Sequence, residues 1–162
     1  MPNLITMLQS GHITEAIKPQ TGASARSGDW VSLANYKKCA ILVHIAQGNA
    51  ATTALTVDRA TTTAGASEDT GITLTNFWTL EDTPTTSDTW TKGTAAASIT
   101  TSATGTGSSL YLIDIDAAAL DDGTGYMAIQ LEAGISNTNN VISATYILYG
   151  NRYPAAAPPS AL

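Results

Sequence analysis

The sequence predicts an all-β domain: a β-sandwich or jelly roll of about seven to nine short antiparallel strands with an extended N-terminal arm. Three observations carry the prediction. Short segments alternate apolar and polar residues, the period that gives a strand one buried and one exposed face. Gly, Asn, Asp and Thr clusters separate these segments at the spacing of sandwiches. Thr is abundant, and its β-branched side chain favours the pleated surface while its hydroxyl can face water or a subunit boundary.

The elements follow in order. Residues 1–27 read as an extended N-terminal arm; residues 1–17 are equally compatible with a short helix or strand, and Gly11, Gly22 and Gly28 are breaks. Residues 29–33 (DWVSL) alternate as a first strand with Trp30 inward, and residues 35–38 read as a turn. Residues 39–46 (CAILVHIA) are the strongest strand, with Ile41, Val43 and Ile45 on one face and Leu42 and His44 on the other. Residues 53–59 (TALTVDR) form the next, and Gln47-Gly48-Asn49 between them suggests a hairpin.

After a Thr/Ala/Gly loop, residues 71–80 (GITLTNFWTL) are β-prone, with Ile72 and Leu74 inward. Pro84 breaks residues 81–92, and residues 96–101 fit a short strand. Residues 110–115 (LYLIDI) are strongly β, and residues 116–122 fit one helical turn capped by Asp116, with Ala119 and Leu120 inward. Residues 126–133 alternate, and residues 141–149 (VISATYILY) form the last strand. The domain therefore spans 28–154, followed by a Pro/Ala-rich tail at 155–162 that cannot continue a sheet.

Composition narrows the functional classes. Charged residues make up 12% of the chain, about half the usual share, and the net charge is -6. An acidic, Arg-poor surface repels phosphate backbones, so no nucleic-acid partner is expected. No segment approaches the roughly 20 apolar residues of a membrane helix, and the first 20 residues lack the basic-then-apolar order of a signal peptide. A single Cys39 permits no internal disulfide.

No set of residues points to catalysis, a cofactor or a metal. His12 and His44 stand apart, and no His/Cys spacing fits a metal site. Cys39 has no nucleophile motif around it and reads as a small buried residue. Asp114, Asp116, Asp121 and Asp122 match no EF-hand, and capping with solvent exposure explains them better than acid/base work. The glycine-rich loops lack phosphate-binding motifs. What is left is interface chemistry. Trp78 and Trp90 stand among small hydroxyl residues in or near polar loops, a composition common at interfaces and compatible with a glycan-binding face. Arg26, beside the first strand, is placed to pair with acidic groups of a neighbour.

The order of segments carries a resemblance. A V-S-L-x-N strand (residues 31–35), an A-L-T-V strand (Ala54–Val57) where such chains carry T-L-T-V, a Y-x-I-x-I-D-A-x-x-L-D segment (residues 111–121), an aromatic-plus-aliphatic strand (residues 126–131) and a closing Y-x-x-R-Y-P (residues 149–154) together resemble small structural proteins of tailed bacteriophages encoded near the major capsid protein. The resemblance covers most of residues 27–154. It implies a sandwich protein of the virion that decorates and cements the capsid surface, binds between major capsid protein subunits and assembles as a homo-oligomer, most often a trimer. It supplies no catalytic residue. The interface would draw on the arm's apolar residues Met1, Leu4, Ile5, Leu8, Ile13 and Ile17, with Arg26, Trp78 and Trp90. The alternatives are a head–tail connector, tail-tube or head-fibre component, a carbohydrate-binding module using Trp30, Trp78 or Trp90, and, last, an enzyme using Asp114 or Asp121.

Overall fold

Strand alternation builds two antiparallel sheets that close over one core. The computed structural model describes residues 11–81, 89–103, 107–120 and 122–152. Its strands are β1 (Gly11–Thr21), β2 (Arg26–Ser27), β3 (Val31–Ser32), β4 (Tyr36–Gln47), β5 (Ala54–Ala60), β6 (Phe77–Leu80), β7 (Thr91–Lys92), β8 (Ile99–Thr100), β9 (Gly107–Asp116), β10 (Ala128–Ala133) and β11 (Val141–Asn151). A six-stranded sheet runs β1-β11-β4-β9-β6-β7, and a smaller one runs β2-β10-β5-β8 with β3 also on β10. The fold is the all-β sandwich that the alternation predicts.

The core follows from the period of two. Cys39, Ile41, Val43 and Ile45 of β4 face inward beside Tyr111, Ile113 and Ile115 of β9 and Ile142, Ala144, Tyr146 and Leu148 of β11. They meet Leu55 and Val57 of β5 and Ile129, Leu131 and Ala133 of β10 from the smaller sheet. Each large aliphatic side chain so buried contributes roughly 1.5–3 kcal/mol of transfer free energy. Asp116 caps the single turn at Ala117–Ala119 by accepting a hydrogen bond from the Ala118 N–H at 2.9 Å.

Several expectations are corrected. Residues 11–27 are not an arm. Residues 11–21 form β1 on the edge of the large sheet, paired with β11 from Gly11↔Tyr149 to Thr21↔Val141. Ala16 and Ile17 are buried in the core, and that burial holds the strand in place. Residues 1–10 and 153–162, including the expected tail, lie outside the described residues.

The expected β4–β5 hairpin does not form, because the two strands belong to different sheets. The Gly48 and Asn49 N–H groups donate to Asn140 Oδ1 at 3.0 and 2.8 Å, so that side chain secures the crossover. The β-prone run 71–80 is a strand at Phe77–Leu80, with Leu74 bridging Ala96 ahead of it. Gly71, at φ +68°, turns the chain before that bridge. Tyr36 begins β4, which shortens the expected turn at 35–38. Ala117, rather than Ala119, is buried in the helical turn, and Trp30 is half-buried.

Candidate interaction surface

The inward faces of β4 and β9 do not use all of their apolar residues; Ala40, Leu42, Ala46, Leu110 and Leu112 point outward. Register places Glu15 (β1), Thr145 (β11), Leu42 (β4), Leu112 (β9), Trp78 (β6) and Lys92 (β7) in one row across the outer face of the large sheet. The next row carries Ile13, Ile147, Ala40 and Asp114. The row on the other side carries Ser143, His44, Leu110 and Leu80. Leu42, Leu112, Ile147 and Trp78 are half-buried and Leu80 is buried, while Ile13 is 44% and Val141 37% exposed. Among the described residues no strand or helix packs across this face. An apolar stripe on a solvent-facing sheet is the usual mark of an interaction surface.

Polar groups at the margins of the stripe are already satisfied. Lys38 donates to Asp114 Oδ2 at 3.1 Å, and the Tyr149 hydroxyl donates to Asp114 Oδ1 at 2.6 Å. The hydrogen bond to Asp114 raises the Lys38 ammonium above its ordinary value. Burial, then the same carboxylate, pushes the Tyr149 phenol well up, so it stays a donor. His44 and Ser108 share a hydrogen bond at 2.5 Å. The Lys92 ammonium lies 5.7 Å from the Trp78 ring centroid, a cation–π contact between β7 and β6.

A second feature adjoins β1, the edge strand of the large sheet among the described residues. A cleft of about 750 Å³ is bordered by His12 to Glu15 on one side and by Gly28, Trp30, Val31 and Gln130 on the other. It is a mixed polar and apolar groove, closed at one point by the Asp29 N–H, which donates to the Ala16 carbonyl of β1 at 3.2 Å.

The sequence-predicted residues divide clearly. Ile13 and Trp78 stand on the outer face, and Trp90, 40% exposed, precedes β7 by one residue. Ile17, 2% exposed, is a core residue and is corrected as an interface candidate. Arg26 folds back on its own turn, donating to Ser24 Oγ at 3.1 Å and to the Ala25 and Thr21 carbonyls at 3.4 Å, so its guanidinium is already engaged within the chain. Met1, Leu4, Ile5 and Leu8 lie outside the described residues. Leu42, Leu110, Leu112, Ile147 and Lys92 were not singled out from sequence. Their signal was present: CAILVHIA and LYLIDI are apolar at outward as well as inward positions.

The polar candidates read structurally. Burial pushes the Cys39 thiol up to about 12, the opposite of a reactive thiolate. His44 projects from the opposite face of β4. Among the described residues no cluster of three or more His, Cys, Asp or Glu side chains could hold a metal ion. Asp122 and Asp69 both pair with Arg59, whose guanidinium stacks 4.2 Å from the Tyr126 ring and donates to the Leu120 carbonyl at 2.6 Å. That cluster ties the β9–β10 connection to β5.

No protein-family model matches the sequence, and no curated protein sequence matches it. A solved structure shares its architecture. The SPBc2 prophage-derived protein YomS superimposes with a TM-score of 0.50 at 12% identity, over 86% of this chain and 93% of that one. The N-terminal cellulose-binding domain of Cellulomonas fimi β-1,4-glucanase C covers 90% of this chain and 81% of its own at a TM-score of 0.29 and 8% identity, too distant to carry an argument. The similarity to YomS establishes a shared sandwich fold.

Proposed function

We propose that this chain is a structural protein of a tailed-phage virion that decorates and stabilises the capsid shell, seated between major capsid protein subunits. The observation that carries the reading is the continuous apolar stripe on the outer face of the large sheet. A face of that kind serves assembly, and a lattice of equivalent sites multiplies a modest affinity per copy. The prophage origin of YomS, which shares the fold, supports a phage setting. The segmental resemblance to capsid-associated proteins supports the shell over the tail.

In this reading the arm is shorter than the sequence suggests. Residues 1–10, with Met1, Leu4, Ile5 and Leu8, precede β1 at the sheet edge beside the cleft. In the proposed assembly they reach a capsid subunit, by strand addition or by an apolar anchor. Co-sedimentation tests this. Purified protein should pellet with capsids stripped of it, and removal of residues 1–10 should reduce the pelleted fraction at least tenfold. Full-length protein that stays in the supernatant at every capsid concentration contradicts the reading. A head–tail connector, tail-tube or head-fibre role predicts pelleting with tails in place of capsids.

A further inference from the structure

The outer face is not only apolar; its charges are arranged across the sheet. In the central row, Glu15 stands on the first strand and Lys92 on the last, with Thr145, Leu42, Leu112 and Trp78 between them. Strands lie about 4.8 Å apart, so these two charges sit roughly 24 Å apart at opposite edges. The midpoint falls between β4 and β9. A two-fold axis in the interface, running close to the strand direction through that midpoint, reverses the row. It would set Glu15 of one copy over Lys92 of the other, Thr145 over Trp78, and Leu42 over Leu112. The row at the end of the sheet obeys the same operation: Lys38 on β4 and Asp116 on β9 are cross-strand neighbours, and the axis exchanges them.

We propose that the occupant of this face is a second copy of the chain, packed sheet on sheet about that two-fold axis. The inference rests on the reading that the outer face is an assembly surface, and it names the partner. Self-complementarity is the property an isologous interface requires: each contact must be the reverse of another. Two twisted sheets pack face to face with strands within about 30° of each other, a small enough rotation to keep long edge side chains in reach. The size also fits. Four strands of ten to twelve residues, with the shorter β6 and β7 beside them, present a face on the order of 700 Å², somewhat below the ~800 Å² per partner of a standard stable interface. Among the described residues Glu15 has no ion-pair partner within its own chain. This assembly has two copies, where the phage-protein resemblance implies three.

Analytical ultracentrifugation of the full chain tests it, with charge reversals as the discriminating variants. The wild type should sediment as a dimer of 16.7 kDa chains. Glu15→Lys and Lys92→Glu should each weaken the dimer about tenfold, because each creates two like-charge contacts. The double reversal should restore it, and Leu112→Glu should give a monomer with an unchanged circular dichroism spectrum. A monomer at all concentrations, a trimer, or a dimer indifferent to the reversals overturns the proposal. The capsid co-sedimentation assay separates the two ideas. A monomer that pellets with capsids sinks the two-fold pairing and leaves decoration standing. A reversal-sensitive dimer that never pellets does the opposite.

Discussion

Tyr146, rising from β11 of the large sheet, accepts a hydrogen bond from the Leu131 backbone N–H of β10 in the opposite sheet, at 2.7 Å. The bond fills a gap. β10 pairs with β3 at Ala128–Ile129 and with β2 at Glu132–Ala133, which leaves Leu131 between them without a strand partner on that side. Gly28 completes the patch by donating its N–H to the Leu131 carbonyl at 2.8 Å. A Cβ at Gly28 would come within 3.0 Å of the Tyr146 hydroxyl and of the Ala16 carbonyl. Tyr146→Phe strands a buried N–H and should cost about 1–3 kcal/mol, read from urea unfolding. An unchanged midpoint would mean that the cross-sheet bond contributes nothing.

Gly93 should resist any side chain. A Cβ there would fall 1.9 Å from the Phe77 ring, which cannot move without vacating the core. Gly93→Ala should therefore destabilise by about 1–3 kcal/mol through overpacking. Gly123→Ala tests a different mechanism, since its Cβ meets open space but its φ is +98°. Pairing Gly93→Ala with Phe77→Leu should recover part of the loss in thermal melts, and the same pairing should not help Gly123→Ala.

Arg59 gathers several polar contacts, to Asp69, Asp122, the Leu120 carbonyl and the Tyr126 ring. Arg59→Ala should lower stability by about 1–3 kcal/mol, because it leaves these acceptors without their fork. Arg59→Lys keeps the charge but supplies a single point donor, so its loss should be intermediate. Equal melting temperatures for Lys and Arg would show that charge alone matters there.

The Asp58 carboxyl makes stability depend on pH in an unusual direction. Burial pushes its pKa up, against the Gly71 N–H that donates to it at 2.6 Å. Below that raised value the folded protein holds a proton that the unfolded chain, with a pKa near 3.8, has already released. Its contribution therefore falls as pH rises from about 4 through the folded pKa. Asp122 runs the opposite way. The Thr124 hydrogen bond, with help from Arg59, holds it below its usual value, so its stabilisation is present above pH 4 and lost on acidification. Asp58→Asn keeps an acceptor for Gly71 and removes the charge. Its melting temperature should exceed the wild type's by more at pH 7 than at pH 3; a difference independent of pH would refute the assignment.

Truncation distinguishes arm from strand. Removing residues 1–10 should leave the melting temperature close to that of the full chain, because among the described residues the core cluster begins at Ala16. Removing residues 1–20 deletes nearly all of β1 with buried Ala16 and Ile17, and should unfold the sheet edge, seen as a large drop in melting temperature.

How legible this was depended on where the determining contacts lie. The inner faces of β4, β9 and β11 were readable because period-two alternation is local, and Asp116 was readable as a cap. β1 was not. GHITEAIKPQT carries Pro19 and two register shifts against β11, so its alternation is broken, and its strand character comes from a partner 120 or more residues away. The β4–β5 crossover was missed for a similar reason, since Asn140, far along the chain, decides where the turn goes. The outer-face row could be seen only residue by residue. Leu42 and Leu112 were visibly apolar, but which residues share a row depends on registers among six strands.

Capsid decoration is decided by cryo-electron microscopy of capsids stripped of this protein and then reloaded with it. Density at regular lattice sites between major capsid protein subunits, fitted by the two-sheet sandwich, is the predicted result. Capsids that reconstruct without added density at saturating protein, with or without density on the tail, would contradict it.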